Sequence, residues 1–376
     1  MKNSFLSFAF VAACAAMLVA GCKKDEKLPY KGQQLKLPAT TFNYAQPDVP
    51  AHFQGAMTGA RFGVTDDGAT LGRVLFYDKK LSKNNTTACA SCHLQSNAFA
   101  DISRGSLGFD GGITPRNSMS IVNVSMQRDF FWDLRESKLE SMVLKPIKNH
   151  IEMGVEDLDK LVVKLAATDY YADLFKAAYG DEQITSERIA DAMSQFLRSM
   201  VSTNAKVDEG QFQPQLSALE QEGMNLFFGQ ALCSSCHGGR NLNEAFIGLR
   251  DTIPSFYNDG RPRANIGLDM EYTDPGMGAL SPGEDGVFKV PSLRNVALTG
   301  PYMHDGRFAT LMDVVNHYNS NIQKHPNLDA RLRDWEGNPW RLNLNDQQKQ
   351  ALVAFLHTLT DNSLVTDEKF SNPFAE

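Results

Sequence analysis

The sequence predicts an all-α fold in two units, on three observations. Apolar residues recur at helical spacing, as in Ile189, Met193, Phe196, Leu197 and Met200, whereas the alternating apolar and polar runs that mark strands are few. Gly- and Pro-rich stretches such as 101–115 and 274–286 separate the periodic segments as long irregular loops. A short motif of two cysteines and a histidine occurs twice, at Cys89–His93 and Cys233–His237, each preceded by a Leu-Phe-aromatic helical stretch, "LGRVLFY" and "EGMNLFF". Repetition of motif and flank together points to a duplicated unit. At 376 residues the chain is long enough for two domains with a core each.

In chain order, Lys2 precedes an apolar run from Phe5 to Ala20 that ends in "LVAGC" at Cys22, so residues 1–22 read as a signal peptide. The last five of these residues resemble the lipobox of bacterial lipoproteins, in which the cysteine is lipidated and becomes the first residue; plain secretion with Cys22 an incidental thiol is the alternative. Residues 23–52 are charged, then Pro- and Gln-containing, with no steady period, and read as a flexible tether. The first unit spans 53–213 and includes a helix opened by Thr185 and Ser186. A boundary falls near Pro214, after "DEGQFQPQ". The second unit, 214–376, holds a helix whose Asn345 and Gln348 form a capping-box pattern, with Leu352, Phe355, Leu356 and Leu359 on its buried side. Composition is that of a soluble globular protein, with 42% hydrophobic and 22% charged residues; a net charge of −7 and the lack of any basic block argue against nucleic acid as a partner.

With Cys14 in the leader and Cys22 at the lipobox, Cys89, Cys92, Cys233 and Cys236 remain, all in C-x-x-C-H. An exported chain meets an oxidising compartment, so thiols kept at this spacing need a covalent use. Structural zinc wants two such pairs close together, and about 140 residues separate these. A thioredoxin-like dithiol needs a βαβ setting, which the helical surroundings do not provide. Attachment of c-type haem uses all five positions: two thiols bond the porphyrin edge and the following histidine ligates the iron. His93 and His237 are then the proximal ligands, and the units become two cytochrome c-like haem domains.

Between and after these motifs, "RNSMSIVNV", "FFWDLRESKLE", "KPIKNHIEMG" and "FKVPSLRNVALTGPYMHDGRFATLMDVV" resemble, in that order, the bacterial di-haem cytochrome c peroxidase family, which includes MauG-like di-haem enzymes. The resemblance runs from about Leu71 to Thr360. It implies a peroxide site at the N-terminal haem, an electron-storing C-terminal haem and a tryptophan between them, matched here by Trp132; a packed core aromatic is the alternative. Glu152 matches the family's distal acid-base residue, with Pro146 on the same side. Heterolysis of peroxide needs a proton taken from the inner oxygen and given to the outer one, and one carboxyl can do both; as an unaligned glutamate it would be a solvated surface charge. The family also implies a calcium ion, with Asn117, Thr299 and Pro301 at the matching positions; Asn117 is otherwise a turn residue bonding its own backbone.

Two departures from the peroxidase pattern bear on the chemistry. The loop "DISRGSLGFDGGITPRNS" lacks the histidine that caps the N-terminal iron in many members, which predicts an open iron needing no reductive activation. The distal ligand of the second haem, methionine in the usual peroxidases and tyrosine in MauG, falls at "VVNHYNSN", where Tyr318 takes the place. His317 is the rival ligand, and Met303 or no side chain is the third alternative. Tyrosinate favours ferric iron and lowers the potential, whereas a thioether raises it. His304 and Asp305 pack near the second haem without an assigned role; Trp335 and Trp340 read as packing, and His52, His150, His325 and His357 as isolated surface or core residues.

The functions left open are an exported peroxidase fed by a small c-type cytochrome or cupredoxin, a MauG-like enzyme that oxidises residues of a partner protein, and a non-catalytic electron carrier. An open iron beneath Glu152 speaks against the carrier. The reading is of a periplasmic, membrane-anchored lipoprotein of a Gram-negative bacterium, in a family many of whose members pair as homodimers.

Overall fold

The computed structural model of the chain describes residues 34–46, 49–51, 53, 63–211, 214–243 and 259–375. The leader, Cys22 and His52 lie outside them. Described residues are helix-rich with few strands, as the sequence predicts. Helices α1 (Asp66–Tyr77), α2 (Leu139–Lys148), α3 (Leu158–Ala166), α4 (Tyr171–Tyr179) and α5 (Ser186–Ser199) enclose one hydrophobic cluster. A second is built by α6 (Ala218–Phe228), α7 (Leu311–Asn316) and α8 (Asp346–His357). Between α6 and α7 a two-residue antiparallel pair, β1 (Arg263–Ala264) and β2 (Phe288–Lys289), sets Arg263 opposite Lys289.

Local signals start these helices where the sequence places them. Thr185 accepts the Arg188 amide at 3.2 Å to open α5, and Asn345 and Gln348 cap each other's amides at 2.9 and 3.0 Å to open α8. The duplication extends to the way helices cross. In α1, Gly72 lies so close to the Ala192 carbonyl and Phe196 of α5 that a Cβ would collide with both; in α6, Gly223 meets the Ala351 carbonyl and Phe355 of α8 in the same way. Each crossing thus joins a Gly-x-x-Leu-Phe helix to an Ala-x-x-x-Phe helix, and Phe76, Phe196, Phe227 and Phe355 are all buried.

The partition of the chain differs from the sequence reading at both ends. After a short helix α9 (Asn362–Thr366), the C-terminal segment leaves the second cluster and joins the first, where Leu364, Phe370 and Phe374 are buried. Arg73 donates to the Ser371 carbonyl (2.7 Å) and Tyr77 to that of Phe370 (2.7 Å). Within the segment read as a tether, Tyr44 is 1% exposed in the same cluster and donates its hydroxyl to the Lys369 carbonyl at 2.6 Å. Leu35, Leu37 and Phe42 pack against the same cluster; so few apolar anchors in a polar stretch carry no steady period, and tertiary burial overrides what composition suggests. Phe370→Ala is expected to cost about 3–5 kcal/mol, since a fully buried phenyl leaves a cavity. A lowered unfolding midpoint with unchanged haem content checks this, and an unmoved midpoint would show the strap to be dispensable to the core.

Candidate functional site

Each cysteine motif forms a single tight turn, Cys89–Ser91 and Cys233–Ser235, closed by the histidine amide donating back to the first cysteine carbonyl (3.0 Å for His93, 2.9 Å for His237). The imidazoles are oriented alike: His93 Nδ1 bonds the Phe99 carbonyl at 2.9 Å and His237 Nδ1 that of Leu242 at 3.0 Å. Phe99 and Leu242 both hold left-handed backbone (φ 59° and 53°), a strained conformation that recurs where a carbonyl must face a ring nitrogen. With Nδ1 engaged, Nε2 is the nitrogen left for a metal, the arrangement that fixes tautomer and ring plane in histidine-ligated sites. Burial lowers both histidine pKa values, His237 to about 4, so the rings are neutral and able to ligate. None of these four cysteines is in a disulfide, and burial pushes the thiols of Cys89 and Cys233 up to about 12 and those of Cys92 and Cys236 to about 11.

The two motifs open onto two cavities. The first, of ≈ 760 Å³, is lined by Cys89, Cys92, His93, Pro146 and Glu152; the second, narrower at ≈ 230 Å³, by Cys233, Cys236, His237, Tyr318 and Met303. Asn117, Met119, Ser120, Gln127, Trp132 and His304 line both, and so form their common wall. Trp132 is held in that wall by its indole N–H, which donates to the Asn117 carbonyl at 2.9 Å, while its own carbonyl accepts the Lys289 amide at 2.7 Å.

Glu152 reaches the first cavity from a loop after α2, which Pro146 helps to end by interrupting the helical hydrogen bonds. The Asn149 side chain organises this loop: its amide donates to Glu152 Oε1 at 2.9 Å and its carbonyl accepts the Ile151 amide at 2.8 Å. The 101–115 loop seals the other side, with Gly108 packed so tightly on the Ile151 carbonyl that no side chain fits. Burial raises the Glu152 pKa, opposed in part by Arg135. A carboxyl whose proton affinity is raised by burial in a cavity is suited to passing a proton in either direction. His93 and His304 are the imidazoles lining this cavity among the described residues, and the 101–115 loop contributes none.

At the second cavity the structure sets His317 apart from Tyr318 and Met303. His317 and Tyr318 lie in a π-type turn, His317–Asn321, that continues α7. His317 Nε2 bonds the Ile266 carbonyl at 2.9 Å and does not line the cavity. Tyr318 does, and among the described residues its hydroxyl has no hydrogen-bond partner; burial raises its pKa far above the ordinary value. An uncommitted phenol facing a cavity with a neutral imidazole fits an iron between them. Met303 lines the same cavity from a left-handed position (φ 75°).

Asn117 is buried, its side-chain amide donating to the Ser103 carbonyl at 2.9 Å, and it lines the second cavity with Thr299 and Pro301. The described residues contain no cluster of acidic, histidine or cysteine side chains able to hold a metal ion, so a calcium there would rest on Asn117, carbonyls and water. His304 is 4% exposed and stacks on Phe288 with ring centroids 3.8 Å apart. The place of Gln127 in the shared wall depends on tertiary packing and has no sequence signal. Trp335 is 92% exposed, against its reading as a packing residue, while Trp340 is 45% exposed and lines the second cavity. His150 and His357 are exposed, and buried His325 bonds Asn265 at 3.1 Å.

Residues 66–215 match the di-haem cytochrome c peroxidase family. The methylamine utilization protein MauG of Paracoccus denitrificans is 32% identical over 78% of this chain and 88% of its own length. The cytochrome c551 peroxidase of Nitrosomonas europaea is likewise 32% identical, covering 78% of this chain and 80% of the relative. Among solved structures, a MauG-like protein associated with microbial copper homeostasis superposes with a TM-score of 0.73 at 34% identity, covering 90% of this chain and 99% of that one. Paired thiols, oriented neutral imidazoles and adjoining cavities agree with these likenesses, and the chain belongs to the di-haem cytochrome c peroxidase family, which carries covalently bound haem c.

Proposed function

We propose that the protein reduces hydrogen peroxide to water at the first cavity, with electrons entering through the second from a small c-type cytochrome or cupredoxin. The observation that carries this reading is Glu152, its carboxyl raised in pKa by burial, in the same cavity as His93 and its two cysteines. Cys89 and Cys92 would hold one haem over His93, and Cys233 and Cys236 a second over His237; bound haem supplies the irons that take peroxide and electrons. Glu152 accepts the proton of the peroxide oxygen nearer the iron and returns one to the farther oxygen as the O–O bond breaks. Two electrons and two protons complete the conversion of one peroxide to two waters. Pro146 shapes the entrance beside Glu152, and Trp132, in the wall common to both cavities, carries electrons between them.

Asn117 with the carbonyls of Thr299 and Pro301 would bind a structural calcium at the rim of the second cavity. The chain would be exported and anchored through lipidated Cys22. Tyr318 favours a second reading, in which a tyrosine-ligated second haem shares oxidising equivalents and the enzyme oxidises residues of a partner protein, as a MauG-like member would.

One experiment separates the two. Ferric protein is mixed with one equivalent of peroxide, with and without reduced cytochrome c. Fast return of the ferric spectrum that requires the reduced cytochrome is expected for a peroxidase; an oxidised spectrum persisting for minutes and indifferent to the cytochrome would overturn that reading in favour of the second. Absence of any reaction with peroxide would leave an electron carrier.

A further inference from the structure

Cations in the wall of the second cavity are unequally satisfied. Among the described residues, those lining it are Lys289, Arg294 and Arg331, besides histidines. Arg294 is held by both Asp208 oxygens at 2.8 and 2.9 Å, and Arg331 by both Asp329 oxygens at 2.7 Å. Lys289 has no such partner. It is 5% exposed on β2, and its ammonium donates to a neutral acceptor, Gln127 Oε1, at 3.1 Å. An ammonium has three protons to place, and an isolated buried one is costly. Asp129 is the acidic group that acts on it; its Oδ1 is paired with Arg261 at 3.0 Å, and its buried Oδ2 makes no hydrogen bond to Lys289 or to any other described residue.

A buried lysine left so in a cavity wall fits an anion that enters the cavity. The proposed occupant brings one, because a porphyrin of the haem c type carries two propionate carboxylates. We propose that Lys289 is the counter-ion of a propionate of the second haem and, while protonated, raises that haem's reduction potential. A positive charge stabilises the ferrous over the ferric state across a low-dielectric interior. The assignment rests on the reading of the second cavity as a haem site. It makes Lys289 a positioning residue: its charge sets the ease of filling the second haem, while its backbone amide holds the carbonyl of Trp132 in the wall toward the first.

Burial pushes Lys289 down to about 8, with Asp129 opposing it in part. A propionate partner raises it from there, so the ammonium persists through neutral pH and is lost only in alkali. Other charges facing this wall are the Arg294–Asp208 and Arg331–Asp329 pairs, Arg261 on Asp129, and His304.

The test uses the haem-loaded full chain, with Lys289→Met and Lys289→Arg, and reads the midpoint of each haem by spectroelectrochemistry between about pH 6 and 10, the range around the lysine titration. At the wild-type midpoint, the Met variant is expected to hold the second haem roughly ten-fold more ferric, the scale of one unit charge at such a site. The Arg variant keeps the wild-type midpoint. The wild-type potential falls with rising alkalinity, a fall absent in Met and displaced beyond the range in Arg. A Met variant with the wild-type midpoint and pH profile overturns the proposal; should that variant not fold, an Arg variant that retains the wild-type alkaline fall overturns it equally. A pyridine haemochrome count of one haem per chain would instead sink the haem reading of the second cavity, and the two failures are distinct.

Discussion

Glu152→Gln is expected to slow peroxide consumption by roughly 10²–10⁴-fold while both haems remain attached, because the amide keeps the shape of the carboxyl and loses its proton chemistry. The expectation rests on position: Glu152 lines the cavity of His93, its Oε1 held by the Asn149 amide at 2.9 Å, on a loop clamped by Gly108. The sign of its pH dependence follows. Burial raises this pKa above the ordinary glutamate value of about 4.3, and the ionised form is the one that takes the first proton. The rate should therefore rise with pH through that raised pKa and level off above it, and the Gln variant should lose this limb. Steady-state peroxide consumption across the acid range reads both effects. Wild-type turnover in Glu152→Gln would remove the carboxyl from the mechanism and leave only the cavity.

Tyr318→Met carries the next largest effect. With Tyr318 as the proposed ligand, a phenolate would hold the second iron ferric, whereas a thioether favours the ferrous state, and axial ligands as a class move haem potentials over roughly 0.8 V. The Met variant is expected to raise the midpoint of the second haem by on the order of 0.1–0.3 V within that range. It should also change the ferric absorption spectrum and shorten any persistent oxidised state formed with peroxide. His317 gives the control, since its Nε2 is committed to the Ile266 carbonyl; His317→Gln should leave the midpoint where it was. A spectrum and midpoint unmoved by Tyr318→Met, with a shift in His317→Gln, would reverse the assignment between these neighbours.

Sequence showed most clearly what depends on neighbours in sequence. The cysteine turns and the Thr185 and Asn345 caps are governed by contacts within a few residues, and the structure has them at those places. Glu152, Trp132 and Tyr318 were legible only through their place in longer matched blocks, because a lone glutamate, tryptophan or tyrosine has a common surface or core fate. The structure brings them to cavities; their roles await the experiments above. Gln127 and Lys289 were not legible, since what distinguishes them is a wall assembled from segments more than a hundred residues apart. Tyr44 and Phe370 escaped notice for the same reason.

The C-terminal strap has a consequence for how the molecule is made. Leu364, Phe370 and Phe374 complete the hydrophobic cluster beside the first cysteine motif, although they follow every helix of the second cluster in chain order. During synthesis the amino-terminal half therefore emerges with an unfinished interior and waits for the segment 362–375, departing from the usual order in which leading domains mature first. A nonsense mutation just past Asp361 would spare nearly all of the trailing half and cripple the leading one, where Glu152 resides.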